Sequence, residues 1–297
     1  MKKATSLLIC ATALTLLGSC QVKEKEARLK VMTFNIRYDN AGDSLNSWGV
    51  RKDTIAEFIN REHPDIFGLQ EVLVHQLHDL TEALPGYAHV GVGRDDGKEA
   101  GEFAPVFWDK QRFKLLDDGV FWLSQYPDSA GFIGWDGACT RLATWAKLQD
   151  NETGGEICFL NTHLDHVGKE AQDNGISLII QRLGAIAGNA QVIVTGDFNV
   201  NTGSEAYKRA TAQPALLIDS YTAAKERTGV AYTYHDFDRI PEGERQKIDY
   251  ILVSPTFKVL KEGITDEHTF GTLMSDHNPV IATLASQADA SGTANHQ

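Results

Sequence analysis

Near the end of the chain stands SDHNPV, Ser275 to Val280. An acid, an imidazole and an amide sit side by side just before an apolar run, PVIATL (279–284), where nothing local calls for them. Consecutive residues of a strand point to opposite faces, so Asp276 and His277 serve one site only from an irregular segment. Pro279 supports such a segment, holding Asn278 extended and letting the strand begin afterward. SDHNPV therefore reads as a loop that delivers an acid and an imidazole to one rim of a sheet.

A partner for the imidazole lies upstream. In IDYILVS, Ile248 to Ser254, Asp249 alternates with Ile251 and Val253, so a regular strand puts its carboxylate on an apolar face. A buried acid needs a partner. His277 is chemically apt, because an imidazole held and kept basic by a buried carboxylate is the orienting arrangement of hydrolytic sites.

Other apolar runs end the same way. LKVMTFNI (29–36), DIFGLQ (65–70), EICFLNTH (156–163) and QVIVTGDF (191–198) read as strands, as do RLATWAKL (141–148), KIDYILVS (247–254) and PVIATL. The first reaches Asn35, the second Gln70 and Glu71, the third Asn161 and His163, the fourth Asp197 and Asn199. Strands that repeatedly finish in carboxylate, amide or imidazole line one rim of a sheet with ligands, the usual place for chemistry in α/β folds. Residues two apart share a face, so Asp197 with Asn199, and Asn161 with His163, point together. Each motif also has a bland reading: GDFN as a glycine turn, NTH as a strand end with a capping amide. Both readings stand for each motif taken alone.

Between the strands the spacing predicts helices. In 170–188, Ile176, Ile179, Ile180, Leu183, Ile186 and Ala187 recur at three-four spacing, with Gly175 weakening the helix by about 1 kcal/mol relative to alanine. Residues 48–62 and 73–84 fit the same template less strictly. With 297 residues, 42% apolar, the chain is long enough for one large domain, and we place it over 27–285 with a loose polar tail at 286–297.

The first residues stand apart. Lys2 and Lys3 precede an apolar run from Leu7 to Leu17, too short to span a bilayer, which reads as an export signal over 1–19. Its close, LLGSC, resembles the lipobox of bacterial lipoproteins and makes Cys20 the acylated residue, with 20–26 a polar tether; an ordinary signal peptide is the alternative. Cys139 and Cys158 then remain. In a hairpin of 141–149 with 156–163, Cys158 falls opposite a residue near Ala146, so two free thiols are expected. Leaving out Lys2 and Lys3 takes Lys and Arg from 28 to 26 against 40 acids, and the formal balance from −12 to −14. No basic run compensates, which argues against a backbone-gripping nucleic-acid binder and toward a small substrate.

TFNI, GLQE, NTHLDH, GDFN, IDYILVS and SDHNPV, in that order from Thr33 to Val280, closely resemble the motif series of the endonuclease/exonuclease/phosphatase superfamily. Phe121 to Leu148 further resembles an exported bacterial branch of it. The resemblance implies a DNase I-like four-layer α/β/β/α sandwich with two mixed β-sheets. It makes Glu71 the central metal ligand with Asn35 and Asp276 nearby, and has Asp197 and Asn199 orient the attacking water and the phosphate. It matches His163 to a histidine contacting phosphoryl oxygens and Asp249 to the acid paired with His277.

Oxygen ligands without a thiolate or histidine cluster favour Mg²⁺ or Mn²⁺ over Zn²⁺. Either Asp197 or His277 handles the water proton. Arg141 is a candidate phosphate contact or a packing arginine; His166 joins His163 in the pocket or starts the following helix. The loop with Trp135 and Asp136, and TYHDFDRIPEGER (233–245), are long enough to rim a pocket, whereas Glu99 and its neighbours in GRDDGKEAGEF (93–103) read as a solvated turn. The expectation is a monomeric, metal-dependent phosphoesterase, lipid-anchored in the bacterial envelope, acting on a small phosphoester or phospholipid headgroup. A secreted nuclease on short oligonucleotides and a non-catalytic binding module are the alternatives.

Overall fold

The computed structural model describes residues 27–212, 217–266 and 273–286; the leader, Cys20 and the tail beyond Ser286 lie outside the described residues. The strands are β1 (Arg28–Asn35), β2 (Ile66–Gln70), β3 (Tyr87–Val90), β4 (Val106–Asp109), β5 (Phe113–Trp122), β6 (Leu142–Asp150), β7 (Glu156–His163), β8 (Gln191–Asp197), β9 (Ile218–Asp219), β10 (Glu226–Gly229), β11 (Asp249–Val253), β12 (Phe257–Ile264) and β13 (Val280–Ser286). One sheet runs β10-β12-β13-β1-β2-β4-β3 and the other β5-β6-β7-β8-β11-β9. Both are mixed: β1 lies parallel to β2 and antiparallel to β13, and β8 lies parallel to β7 and antiparallel to β11.

Period-two alternation sorts each central strand into two faces. Val31, Ile66, Phe159, Ile193, Ile251 and Val253 meet in the core between the sheets. On the outer side, Met32, Phe34 and Phe67 pack against Ile55, Phe58 and Ile59 of helix α1 (Trp48–Glu62) and Leu77 and Leu80 of α2 (Val74–Ala83). Leu160, Val194 and Leu252 pack against Ile176, Ile179 and Leu183 of α3 (Lys169–Ile186). The result is the α/β/β/α sandwich expected from the motifs. Helix α1 stops where it should, at His63 in the left-handed region (φ 48°), because Pro64 cannot continue it.

Helix α3 passes through Gly175 without interruption. The glycine is buried, and a Cβ there would meet Leu123 and Leu164 at ordinary contact distance (3.5 and 3.7 Å). Asp136 caps α3, its Oδ1 accepting from the Ala171 N–H (2.7 Å) and its Oδ2 from the Glu170 N–H (3.2 Å). It is a helix cap rather than a pocket rim. Lys147 pairs with Cys158 and Ala146 with Phe159, so both described cysteines are free thiols, and burial pushes Cys158 up to about 12. Among the described residues no helix is long and apolar enough to cross a membrane.

The inward columns are apolar at one end and polar at the other. Between them lies a single layer of buried hydrogen bonds. Asn161 of β7 donates to the Leu69 and Pro105 carbonyls across the sandwich (2.7 and 3.1 Å), and its Oδ1 accepts from Gln70 Nε2 (2.6 Å) and Thr195 Oγ1 (3.0 Å). Asn161, expected to face the site with His163, sits one step below it and ties the sheets together. Gly68 makes the approach possible, since a Cβ there would collide with Asn161 Oδ1 and Thr195 Oγ1. Gly68→Ala is therefore expected to cost about 1–3 kcal/mol by overpacking, read as a lower urea midpoint. Asn161→Ala should cost at least as much, by removing the four hydrogen bonds its amide makes to Gln70, Thr195 and the carbonyls of Leu69 and Pro105.

Candidate active site

Above the Asn161 layer every inward column ends in a polar group. Asn35 stands opposite Gln70, His163 opposite Asp197, and Asp197 opposite Asp249. Glu71 follows β2 in the left-handed region (φ 62°), as do Arg37 (φ 58°) after β1 and Asn199 (φ 53°) after β8. Each such non-glycine residue costs about 1–3 kcal/mol and persists only where its surroundings fix it. Here the fixing contacts are visible. The Arg37 N–H donates to Asn35 Oδ1 (3.0 Å), the Tyr38 N–H to Glu71 Oε2 (3.1 Å) and the Asn199 N–H to Asp197 Oδ1 (2.9 Å).

The SDHNPV segment enters as a loop, with β13 beginning only at Val280. Ser275 Oγ donates to the Asn35 carbonyl (2.6 Å), and the Asn278 N–H donates to the Thr233 carbonyl (2.6 Å). Arg51, fully buried on α1, braces both walls. It donates to the carbonyls of Ile36 and Met274 (2.6 Å each), Asn46 (2.6 Å) and Arg37 (3.1 Å), joining the end of β1 to the start of the loop. Tyr234, from the TYHDFDRIPEGER segment, lays its ring 4.9 Å from the His277 ring.

The pairing of His277 with Asp249 is as expected: Nδ1 lies 2.8 Å from Asp249 Oδ2. On its other side Nε2 faces Asp197 Oδ2 at 3.6 Å, and His163 Nε2 faces the same oxygen at 3.5 Å. Burial alone would lower His277, but the carboxylates of Asp249 and Asp197 outweigh it and hold the imidazole well above its ordinary value. Burial, with Asp249 repelling, pushes Asp197 up to about 7 against the pull of His277 and Asn35. Burial, then the nearby Arg141 and Arg94, drive His163 well below its ordinary value. One rim thus carries a charged imidazole, a neutral one, and a carboxyl poised near neutrality between them.

Glu71 and Asp276 face one cation. Arg37 Nη1 lies 3.9 Å from Glu71 Oε2 and 3.7 Å from Asp276 Oδ2. Burial and Glu71 raise Asp276 above its ordinary value, as expected of acids crowded together. Two carboxylates already gathered around positive charge fit a hard divalent cation. Asn35, the third expected ligand, turns its amide NH₂ to Glu71 Oε1 and Asp197 Oδ2 (3.0 Å each), orienting the acids from behind. Asp197, Asp249 and His277 also lie close enough to hold an ion. Asp249 Oδ2 is paired with His277 Nδ1, and Asp197 accepts from the Asn199 N–H and the Asn35 amide, which suits proton handling instead. Asn199 directs its amide NH₂ to the Leu164 carbonyl (3.0 Å), beside rather than into the group.

Arg141 is buried, with Nη2 3.2 Å from Nδ1 of the exposed His166. GRDDGKEAGEF is more than a solvated turn. Glu99 is exposed, but the Arg94 N–H donates to the Glu102 carbonyl (3.1 Å) and their side chains pair at 2.7 Å beside His163. An arginine and a glutamate at opposite ends of a tight turn were the available signal. For Arg37 and Arg51 there was none, since Arg51 acts on backbone carbonyls and Arg37 meets Glu71 and Asp276 only in the folded chain.

The family model described as Endonuclease/Exonuclease/phosphatase family matches residues 32–277. An endonuclease/exonuclease/phosphatase structure from Bacteroides vulgatus is 47% identical, covers 88% of this chain and 100% of its own, and superposes with a TM-score of 0.86. A mannosyl-6-phosphatase from Bacteroides thetaiotaomicron is 36% identical over 86% of this chain and 99% of its own, with a TM-score of 0.80. Nocturnin of Xenopus laevis is 27% identical over 76% of this chain and 62% of its own length.

Asp249→Asn should drop the His277 titration toward or below its ordinary 6.5, seen by ¹⁵N NMR of the imidazole. Because the folded value is raised, the stability His277 gains from the pair is full below the unfolded value of about 6.5. It is lost as pH rises through the folded one. An imidazole that titrates identically in both proteins would contradict the pairing.

Proposed function

The chain belongs to the endonuclease/exonuclease/phosphatase family, and we propose that it hydrolyses a small or headgroup-like phosphoester by in-line attack of a water activated at Asp197. It is a phosphoesterase; the substrate class, the base and the metal are our reading. One observation carries it: Asp197 Oδ2 stands between two imidazole nitrogens at 3.5 and 3.6 Å, beside two carboxylates that share one cation.

Between the two candidate bases, the geometry favours Asp197. Near pH 7 a carboxyl pushed up to about 7 both accepts a proton and returns it, the optimum for a general base. His277, held charged by two carboxylates, has no free site for a proton and acts as a fixed positive charge toward the phosphoryl oxygens. Neutral His163 donates one hydrogen bond to the same oxygens and keeps its other nitrogen for the pocket behind it. Mg²⁺ or Mn²⁺ held by Glu71 and Asp276 would supply neutralisation of the phosphate charge. Asn35 fixes Glu71 and Asp197 relative to each other.

A net charge of −12 and the mannosyl-6-phosphatase relative support a small substrate over a nucleic-acid backbone. LLGSC, Leu16 to Cys20, supports export and a lipid anchor at Cys20 as the only membrane attachment, on a monomeric domain.

The test is turnover by the purified protein on phosphomonoesters, phosphodiesters, phospholipid headgroups and short oligonucleotides, with Mg²⁺, with Mn²⁺ and with chelator. Glu71→Ala, Asp197→Asn and His277→Ala should each lower kcat by about 10²–10⁴-fold, and chelation should abolish turnover. Best turnover on oligonucleotides would overturn the substrate reading. Turnover that survives both Asp197→Asn and chelation would overturn the mechanism.

A further inference from the structure

Two buried arginines in this protein are treated differently. Arg51 spends its guanidinium on four carbonyls. Arg141 is 7% exposed, yet its Nε and Nη1 have no hydrogen-bond partner, and only Nη2 reaches a neighbour, His166 Nδ1. A guanidinium offers five donors, and burying it with most of them idle is costly unless an acceptor arrives.

The nearest carboxylate is not that acceptor. Asp165 Oδ2 is 3.9 Å from Arg141 Nε and already accepts from the Ala138 and Cys139 N–H groups (2.9 and 3.3 Å). Its Oδ1 accepts from Val167 and Gly168 (2.9 and 2.8 Å). Cys139, Asp165 and His166 are close enough to suggest a metal site. The adjacent guanidinium and the saturated carboxylate argue against a cation there.

Arg141 instead lines an open pocket shared with His163, Arg94 and Glu102. Arg94 is committed to Glu102 at 2.7 Å, so the uncommitted charge is that of Arg141. His163 lines the same pocket, its Nδ1 buried, without a hydrogen-bond partner and 3.9 Å from Glu102 Oε2. The same ring presents Nε2 to Asp197. The pocket therefore adjoins the reacting position through one imidazole.

We propose that Arg141, beside His163, forms an oxyanion subsite for a terminal, doubly charged phosphate of the substrate. A planar guanidinium matches two phosphate oxygens; a terminal phosphate has three non-bridging oxygens and keeps one for the reacting centre, whereas a diester has only two, sharing a single charge. The inference rests on the phosphoester reading of the same rim and adds a preference: substrates with a free phosphate over diesters. The phosphate is either the one that reacts or a second one on the same molecule, and the substrates below separate the two.

The first experiment is titration of the metal-free protein with inorganic phosphate, followed by calorimetry, so that it reads the subsite whether or not any turnover is found. Wild type and Glu71→Ala should bind saturably, and Arg141→Met should bind at least tenfold more weakly with Arg141→Lys between them. The thermal midpoint of Arg141→Met should be unchanged or raised, because a buried and unpaired charge has been removed. A merely structural arginine would lower it. In turnover, kcat/KM of Arg141→Met should fall at least tenfold on 4-nitrophenyl phosphate if the reacting phosphate is the one held. It should fall only on a sugar bisphosphate if the second is, and change less than about threefold on methyl 4-nitrophenyl phosphate in either case. Absence of phosphate binding by wild type, equal binding by Arg141→Met, or an equal loss on monoester and diester would overturn the proposal. Failure of every phosphoester with metal, alongside intact phosphate binding, would sink the enzymatic reading and leave the subsite standing.

Discussion

The side chain of Asn161 is where the two sheets become one protein. Its amide reaches from β7 across the sandwich to the carbonyls of Leu69 and Pro105, and its oxygen collects Gln70 and Thr195. Below this layer the inward columns are apolar, with Val31, Ile66, Phe159, Ile193 and Ile251 in one core. Above it they are Asn35, His163, Asp197 and Asp249. The layer fixes the relative height of strands from both sheets, and so fixes which polar ends can meet. A buried polar network is worth having only when its members are satisfied. Asn161 makes four hydrogen bonds.

What is assembled above that layer is electrostatically costly. Four carboxyl groups, those of Glu71, Asp197, Asp249 and Asp276, crowd the rim, and the left-handed conformations of Arg37, Glu71 and Asn199 add backbone strain. The protein offsets this with positive charge placed from outside the strands: Arg37 between Glu71 and Asp276, and His277 between Asp249 and Asp197. Arg51 adds rigidity by joining the end of β1 to the SDHNPV loop. The idle donors of Arg141 lie beside the same rim, in the pocket that His163 also lines.

Much of this was legible in the residues because alternation and strand ends are local properties. Asp249 beside Ile251 and Val253 announced a buried acid, and SDHNPV announced its partner; the distance of 2.8 Å bears that out. The central strands and the three long helices followed from periodicity. Strand β5 did not, because its middle is exposed, carries Asp117, Asp118 and Gly119, and shifts register at a bulge. The depth of Asn161 was also hidden, since alternation gives the face of a residue and not its height within the sandwich. Arg94 and Glu102 were masked by a turn-like composition, and Asp136 by its place in an aromatic loop. Arg51 and Arg37 act on carbonyls and on the spacing of two loops, which no sequence pattern encodes.

The central claim is that the two sheets meet in a rim where Glu71 and Asp276 hold a divalent cation beside the Asp197–His277–Asp249 group. Anomalous diffraction from crystals soaked in Mn²⁺ addresses it directly. The account predicts a peak flanked by the carboxylates of Glu71 and Asp276 that disappears in Glu71→Ala. A peak instead among Cys139, Asp165 and His166, or none near Glu71 at saturating Mn²⁺, would contradict it.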